Sequence, residues 1–499
     1  MRWKSGEKLS LQQILKLTTK SVSNHAVDNP CYDFVIVGGG LAGLAAGLRA
    51  QELGLRSVVI EKGTEPNYLC NTRMSGGVIH AAYKQVMRSE KELCQAIDRA
   101  TEGFSNPALA QAVAKDGRKL VRWLQGHGVQ FLTASGYEYH KWTLAPPPQN
   151  RPGLQWPGRG GDVMMRKITA RLLALGGEIH LGINAYGLNM QDGQCVGVKA
   201  TSELKHTDLD YQAKAVLLAD GGFQGNFDLM RQFISADPSS IKQRGAGTGT
   251  GDGLMMAQRV GAALIYPQAF YGHVLCLDAM HSDHLWPYPM IDTIASSGIV
   301  VNDEGNRFVD EGRGGVFIAN AIARLKKPLG AFVIFDHLTW MGPATERLIP
   351  PNPNLARGGG RIFCQPTMEQ LCSVAQLPET VKATVTAYNM GITSGEMPFN
   401  QPNRTTKPYS ALPIVEGPFY AIPLCAGITY TMGGISIDSD ARVLRDDGSV
   451  ILGLFAAGAT TGGLEGGPFA GYVGGLLKAG VMGIRAAQKV KSECLSLSI

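Results

Sequence analysis

No uninterrupted apolar run in this 499-residue sequence approaches the roughly 20 residues that a membrane-spanning helix requires. The N-terminus also lacks an apolar core of the kind that directs secretion. The reading is a soluble, cytoplasmic protein. Its nine cysteines, Cys31, Cys70, Cys94, Cys195, Cys276, Cys364, Cys372, Cys425 and Cys494, form no C-x-x-C pair and no regular spacing. That excludes a disulfide framework or cluster site and fits thiols kept reduced. No C-x-x-C-H haem attachment occurs. His281 and His284, with His273 nearby, have no further ligands in sequence, so no metal is expected and these histidines read as solvated or substrate-facing. Charge is nearly balanced, 47 basic against 41 acidic residues for a net +6, which makes no case for nucleic acid as a partner.

Glycine, by contrast, is plentiful at 63 residues. The stretch that organises the chain runs from Tyr32 to Gly43, where an apolar run, Phe34-Val35-Ile36-Val37, breaks into glycines at the G-x-G-x-x-G spacing of Gly38, Gly40 and Gly43. An alanine- and leucine-rich segment follows, and then Ser57-Val58-Val59-Ile60 ends in Glu61. This order predicts strand, tight turn, helix, strand and acid, the dinucleotide fingerprint. Gly38 allows the turn, Gly40 lets backbone approach a pyrophosphate, Gly43 lets the helix pack close, and Glu61 lies at the distance expected of a ribose ligand. The phosphate rests on the helix N-terminus, where N–H groups and dipole favour negative charge.

A length of 499 residues predicts two or more domains. Residues 1–27 form an N-terminal extension, with Ser10 and Gln13 as a capping box for a short amphipathic helix. Residues 28–267 and 432–499 share one style and read as two parts of a nucleotide-binding domain. The intervening 268–431, rich in prolines and aromatics, read as a second domain, and the cleft between them is the default substrate site. Residues 90–128 are expected to be helical, with Asn106-Pro107 as a terminator, and a helix is expected from Asp162 to the Gly176-Gly177 stop. Strands are expected over 178–200 and 212–219. The loop Asn71-Thr72-Arg73-Met74-Ser75-Gly76-Gly77 suits a flat ring system, which a flavin enzyme needs and a plain nicotinamide enzyme does not.

With these motifs come Leu217-Leu218-Ala219-Asp220-Gly221-Gly222-Phe223, Gly249-Thr250-Gly251-Asp252-Gly253, residues 300–311, Thr431-Met432-Gly433-Gly434, and Leu454 to Gly463. In this order they resemble the fumarate reductase/succinate dehydrogenase flavoprotein family, within it the soluble branch of 3-ketosteroid dehydrogenases and related ketone desaturases, over residues 32–488. The resemblance implies an α/β fold, a Rossmann-like FAD-binding domain with an inserted α+β capping domain, and FAD held noncovalently, because Asn71 stands about where membrane-complex members carry a flavin-linked histidine. Cys70 next door reads as an ordinary thiol.

By the same resemblance Gly38, Gly40, Leu41, Ala42 and Gly43 belong to the pyrophosphate, and Glu61 and Lys62 to the adenosine ribose. Asn71, Thr72, Ser75, Gly76 and Gly77 belong to the ribityl and ring region. Asp252 holds FAD hydroxyls, with Ala185, Ala219, Asp220 and Gly221 also at the cofactor, and Gly458, Gly471, Tyr472 and Val473 line the flavin's pyrimidine side. Asp220 departs from the usual Thr and Ala459 from the usual Glu.

The catalytic positions distinguish the branches. The histidine that precedes T-M-G-G in fumarate reductases is Tyr430 here, and the closing loop carries Glu465 and Phe469 where they have histidine and arginine. The position of their proton-donating arginine is Gly315, with Arg313 two residues earlier. Phenylalanine cannot clamp a carboxylate as arginine does, so fumarate and succinate are not the expected substrates. The resemblance implies desaturation beside a carbonyl of a small cyclic ketone or keto acid. A tyrosine takes the α-proton and flavin takes the β-hydride. Tyr430 is the first candidate base and Tyr139 the second, with backbone N–H groups of Gly466 and Gly467 on the carbonyl oxygen. A tyrosine serves as base only with a depressed pKa or an onward path for its proton. Two alternatives stay open: an ene-reductase of an α,β-unsaturated acid, and a flavin carrier without turnover. Electrons pass to an external acceptor or to oxygen.

Overall fold

The computed structural model describes residues 31–149 and 152–496; the N-terminal extension and its Ser10/Gln13 capping box lie outside them. Two sheets dominate. The first follows the order Arg442–Leu444, Val450–Ala456, Thr207–Leu218, Tyr32–Val37, Ser57–Glu61, Glu178–Leu181. Its four pairings other than that of the Arg442–Leu444 edge are all parallel, and Phe34, Val35 and Ile36 are wholly buried, as expected of strands covered on both faces. Thr207–Leu218 changes role midway: its first half pairs antiparallel with Gln194–Ser202, and its second half joins Tyr32–Val37 in parallel.

Tyr32–Val37 sits between Ser57–Glu61 and Thr207–Leu218, so the strand order reverses there. Ligands of such sheets bind beyond the carboxyl ends of the strands at that switch point; Gly38 and Ala219 follow those ends, and Glu61 is the last residue of its strand. Helix Leu41–Glu52 packs between Gly160–Ala174 and the C-terminal helix Gly475–Ser496. It also lies close on the glycine turn and on that last helix. A Cβ on Gly43 would come within 1.9 Å of Gly38 O, and one on Gly483 within 2.3 Å of Ala42 O.

The second sheet is built around the 13-residue strand Phe419–Thr431. Ile241–Gln243 joins it in parallel, and Phe270–Cys276, Phe332–Asp336 and Phe363–Gln365 join it antiparallel. This sheet therefore draws on chain well before residue 268. Helix Gly315–Ala323 covers it, and the Asn320 amide accepts from Phe270 N–H at 3.1 Å and donates to Phe270 O at 2.8 Å, pinning the start of that strand. Residues 90–128 form helices Glu90–Thr101 and Pro107–Gly126. Asn106-Pro107 begins the second rather than ending the first: Asn106 Oδ1 accepts from Ala108 and Leu109 N–H, and proline suits the first turn, where its missing N–H costs nothing.

Candidate functional site

A continuous cavity of about 1200 Å³ runs from the strand ends of the first sheet to the near edge of the second. At one end stand the fingerprint residues. Glu61 is fixed by accepting from Gly39 N–H at 2.7 Å and Gly63 N–H at 2.8 Å, and burial raises its pKa. Thr72 Oγ1 accepts from Leu41 N–H at 3.1 Å, tying the ring loop to the glycine turn. Lys62 Nζ reaches Thr250 Oγ1 at 2.8 Å and Asp252 at 3.4 Å. Asn71 donates to Thr429 O at 2.8 Å and accepts from Ala246 N–H at 2.7 Å, which joins the ring loop to the second sheet.

These residues suit a flavin dinucleotide. A Cβ on Gly221 would meet nothing within 4 Å, and one on Gly40 would have only Thr72 Oγ1 at 3.8 Å, so the cradle has open space where backbone must approach a ligand. Asp220 accepts from Gly253 N–H at 2.8 Å through Oδ2, while its buried Oδ1 has no partner. Burial pushes its carboxyl up to about 6. A ligand hydroxyl donating to Oδ1 favours the ionised form, so ligand binding must release a proton below that pH. FAD affinity is therefore expected to fall, up to about tenfold per pH unit, as pH drops below about 6, and Asp220→Asn is expected to flatten that dependence in a fluorescence titration of apoprotein with FAD.

Most of the expected cofactor residues line this cavity: Gly38, Gly40, Leu41, Ala42, Glu61, Lys62, Asn71, Thr72, Ser75, Gly76, Gly77, Ala185, Ala219, Asp220, Gly221, Asp252, Gly458, Gly471 and Tyr472. Gly43 and Val473 do not. Gly43 acts in helix–strand packing, and Val473 is buried with its N–H donated to Glu465 Oε2 at 3.2 Å. Burial pushes the Cys70 thiol up to about 11, so it is a poor nucleophile.

At the other end the walls are tyrosine. Tyr271 and Tyr472 stack at 3.9 Å between centroids, and Tyr430 leans on Tyr271 at 5.4 Å. The expected catalytic residues fare unequally. Gly466 spends its N–H on Gly471 O at 2.8 Å and Gly467 faces Phe104; neither lines the cavity, so they do not polarise a carbonyl there. Arg313 does line it, but its guanidinium pairs with Glu102 and Asp310 and packs 4.0 Å from the Phe469 ring. Tyr430 also lines it, yet its hydroxyl donates to Glu465 Oε1 at 3.0 Å. Burial first, and that carboxylate second, raise its pKa well above the ordinary value, the opposite of what a tyrosine base requires.

Tyr139 lies beside Arg347, which donates to its hydroxyl at 2.9 Å and to that of Tyr409 at 3.3 Å while packing 5.4 Å from the Tyr137 ring. Burial raises the Tyr139 pKa despite this cation. Arg347, Tyr409, Tyr271 and Asp292 were not singled out from sequence. Arg347 and Tyr409 lie in loops without a motif, and nothing local marks them. Tyr271 and His273, two apart on one strand, carried a readable signal. Of the three histidines noted, only His273 is buried at the cavity; His281 and His284 are exposed.

Comparison with known proteins agrees with the cradle. A family model described as FAD binding domain matches residues 33–471. NADH:fumarate oxidoreductase of Klebsiella pneumoniae is 26% identical over 87% of this chain, which spans 45% of that protein's length. Urocanate reductase of Eggerthella lenta is 28% identical over 92% of this chain and 73% of its own. The crystal structure of 3-ketosteroid Δ1-dehydrogenase from Sterolibacterium denitrificans with 1,4-androstadiene-3,17-dione shares the fold, with a TM-score of 0.69 and 20% identity, covering 93% of this chain and 100% of that one. Among the described residues no helix is long and apolar enough to cross a membrane. The chain belongs to the FAD-binding domain family, and its cofactor is FAD.

Proposed function

We propose that the chain is an FAD-dependent oxidoreductase of CH–CH bonds that introduces a carbon–carbon double bond beside the carbonyl of a small cyclic ketone or keto acid. Arg347 carries this reading. It faces the cavity with no carboxylate in ion-pair reach among the described residues, and it donates to two phenol oxygens, Tyr139 and Tyr409. Each phenol thereby keeps its own O–H to donate, strengthened by the cation behind it. Such a cluster of fixed donors suits an oxygen that gains negative charge as the α-proton leaves. The tyrosine rings supply flat apolar walls for a ring substrate. Two carboxylates would need a second uncommitted cation; Arg313 is already paired, and Arg244 donates to Thr429 Oγ1 at 2.7 Å and to Pro287 O at 3.1 Å.

Bound in the cradle, FAD supplies the acceptor for the β-hydride. It is held noncovalently in this reading, the Asn71 side chain being engaged at both ends. The electrons leave to a separate acceptor.

The same arginine favours one other reading, an ene-reductase in which Arg347 anchors the carboxylate of an α,β-unsaturated acid. Anaerobic mixing decides between them. Cyclic ketones are expected to bleach the oxidised flavin of the purified protein. Failure to do so, with reoxidation of the chemically reduced protein by an unsaturated acid, replaces the desaturase with the reductase.

A further inference from the structure

Deep in the tyrosine wall, His273 bridges two groups. Its Nδ1 contacts Asp292 Oδ2, and its Nε2 lies 3.0 Å from the Tyr271 hydroxyl. Asp292 Oδ1 accepts from Val274 N–H at 2.9 Å, so both carboxylate oxygens are engaged and the ring's orientation is set. With Nδ1 donating to the carboxylate, Nε2 is the acceptor that faces the phenol O–H. Tyr271, His273 and Asp292 all line the cavity, and Asn320 pins the residue before Tyr271.

Burial drives the Tyr271 pKa upward, so a free tyrosinate is not accessible near neutral pH and an onward acceptor is needed. Among the described residues two tyrosines of the cavity have one, Tyr430 in Glu465 and Tyr271 in His273. Passing the Tyr430 proton to Glu465 would neutralise a carboxylate already paired with Lys478 at 2.9 Å, with both residues almost fully buried, and would leave the ammonium unpaired. Passing the Tyr271 proton to His273 creates an imidazolium directly against Asp292. One transfer dismantles a buried ion pair and the other makes one, and the first is the costly direction.

We infer that Tyr271, His273 and Asp292 form the proton-transfer unit of this site, with Tyr271 as catalytic residue, His273 as proton acceptor and Asp292 as positioning residue. The inference rests on the proposed desaturase reading. The substrate's α C–H bond breaks, its proton forms a bond to Tyr271 Oη, and the phenol's own proton moves to His273 Nε2. The electron pair stays on the substrate as an enolate, its oxygen at Arg347. Tyr271 is a neutral phenol before and after. In a reductase the same steps run backwards and deliver a proton to carbon.

The charged and titratable groups facing His273 are Asp292, Tyr271, Arg244 and Arg347. Burial holds its imidazole below the ordinary value, Asp292 acts against this, and the arginines reinforce it. Turnover needs neutral His273, so the rate of flavin bleaching is expected to rise with pH along one acid limb. Asp292→Asn removes the anion that favours protonation. It is expected to move that limb about one unit lower and to cut the plateau rate, whereas a merely structural role for Asp292 would lower the plateau and leave the limb in place. Tyr271→Phe keeps the ring stacked on Tyr472 and is expected to lose about 10²–10⁴-fold in rate together with the limb, at full FAD content. His273→Gln should do the same. Turnover in either variant with rate and limb unchanged overturns the relay and leaves the desaturase reading intact. If no ketone bleaches the wild-type flavin and no unsaturated acid reoxidises it, the oxidoreductase reading fails and the relay falls with it.

Discussion

Arg347→Leu is expected to lower kcat/KM for the ketone substrate by about 10²–10³-fold while leaving FAD bound. The guanidinium is the cation behind both phenol donors, so its loss removes the charge and loosens the two hydroxyls at once. Arg347 has φ of +83°, a conformation that costs a side-chain-bearing residue about 1–3 kcal/mol. Leucine meets the same backbone cost as arginine, so the variant isolates the guanidinium. Arg347→Lys should recover only part of the loss, because a single ammonium lacks the fork that reaches two oxygens. Steady-state kinetics with flavin content measured on the same samples checks both. An unchanged kcat/KM in the leucine variant would remove the anchor from the site.

The largest effect on stability is expected at Lys478. Its ammonium lies 2.9 Å from Glu465 Oε1 and 3.2 Å from Thr461 O, and Glu465 also accepts from Tyr430, Val473 and Gly474. The pair fastens the closing loop to the first turn of the last helix. Lys478→Met leaves a wholly buried carboxylate without its cation and should destabilise the protein by about 3–5 kcal/mol. Adding Glu465→Gln to that variant removes the stranded charge and should restore most of the loss. Thermal or denaturant unfolding of the wild type, the single and the double variant makes the comparison; a double variant no more stable than the single would show that the cost lies in packing and not in the unpaired charge.

Legibility differed between the two ends of the cavity for a physical reason. The dinucleotide cradle is local: a strand, a turn without side chains and a helix within 30 residues, each step imposed by steric limits that only certain residues meet. Gly38, Gly40 and Glu61 could therefore be read in place. The tyrosine end is assembled from distant pieces, with Arg347 brought to Tyr139 across 208 positions. Lone arginines and tyrosines obey no spacing, and pairwise charge satisfaction depends on the finished fold. Arg313 was readable as a motif neighbour, but its engagement by Glu102 was not. Nor was the commitment of Tyr430 to a carboxylate. Residues 300–311 were recognisable as a motif, and the structure shows much of its charge turned inward: Arg307 and Glu311 meet at 2.5 Å, both wholly buried.

The Gly475–Ser496 helix closes on Leu41–Glu52, and Val450–Ala456 pairs with Thr207–Leu218, so the unit begun at Tyr32 is completed by segments made hundreds of residues later. At a synthesis rate of about 5–20 residues per second, the apolar flank of the first helix waits on the order of tens of seconds for its cover. From its own synthesis until Val450–Ala456 is made, Thr207–Leu218 has an unpaired side, which in a nascent chain is a template for pairing with a neighbour. A stop codon or frameshift just before Gly475 would thus strike a unit made hundreds of residues earlier, and the expected fate of such a product is aggregation or chaperone capture rather than a shortened flavoprotein.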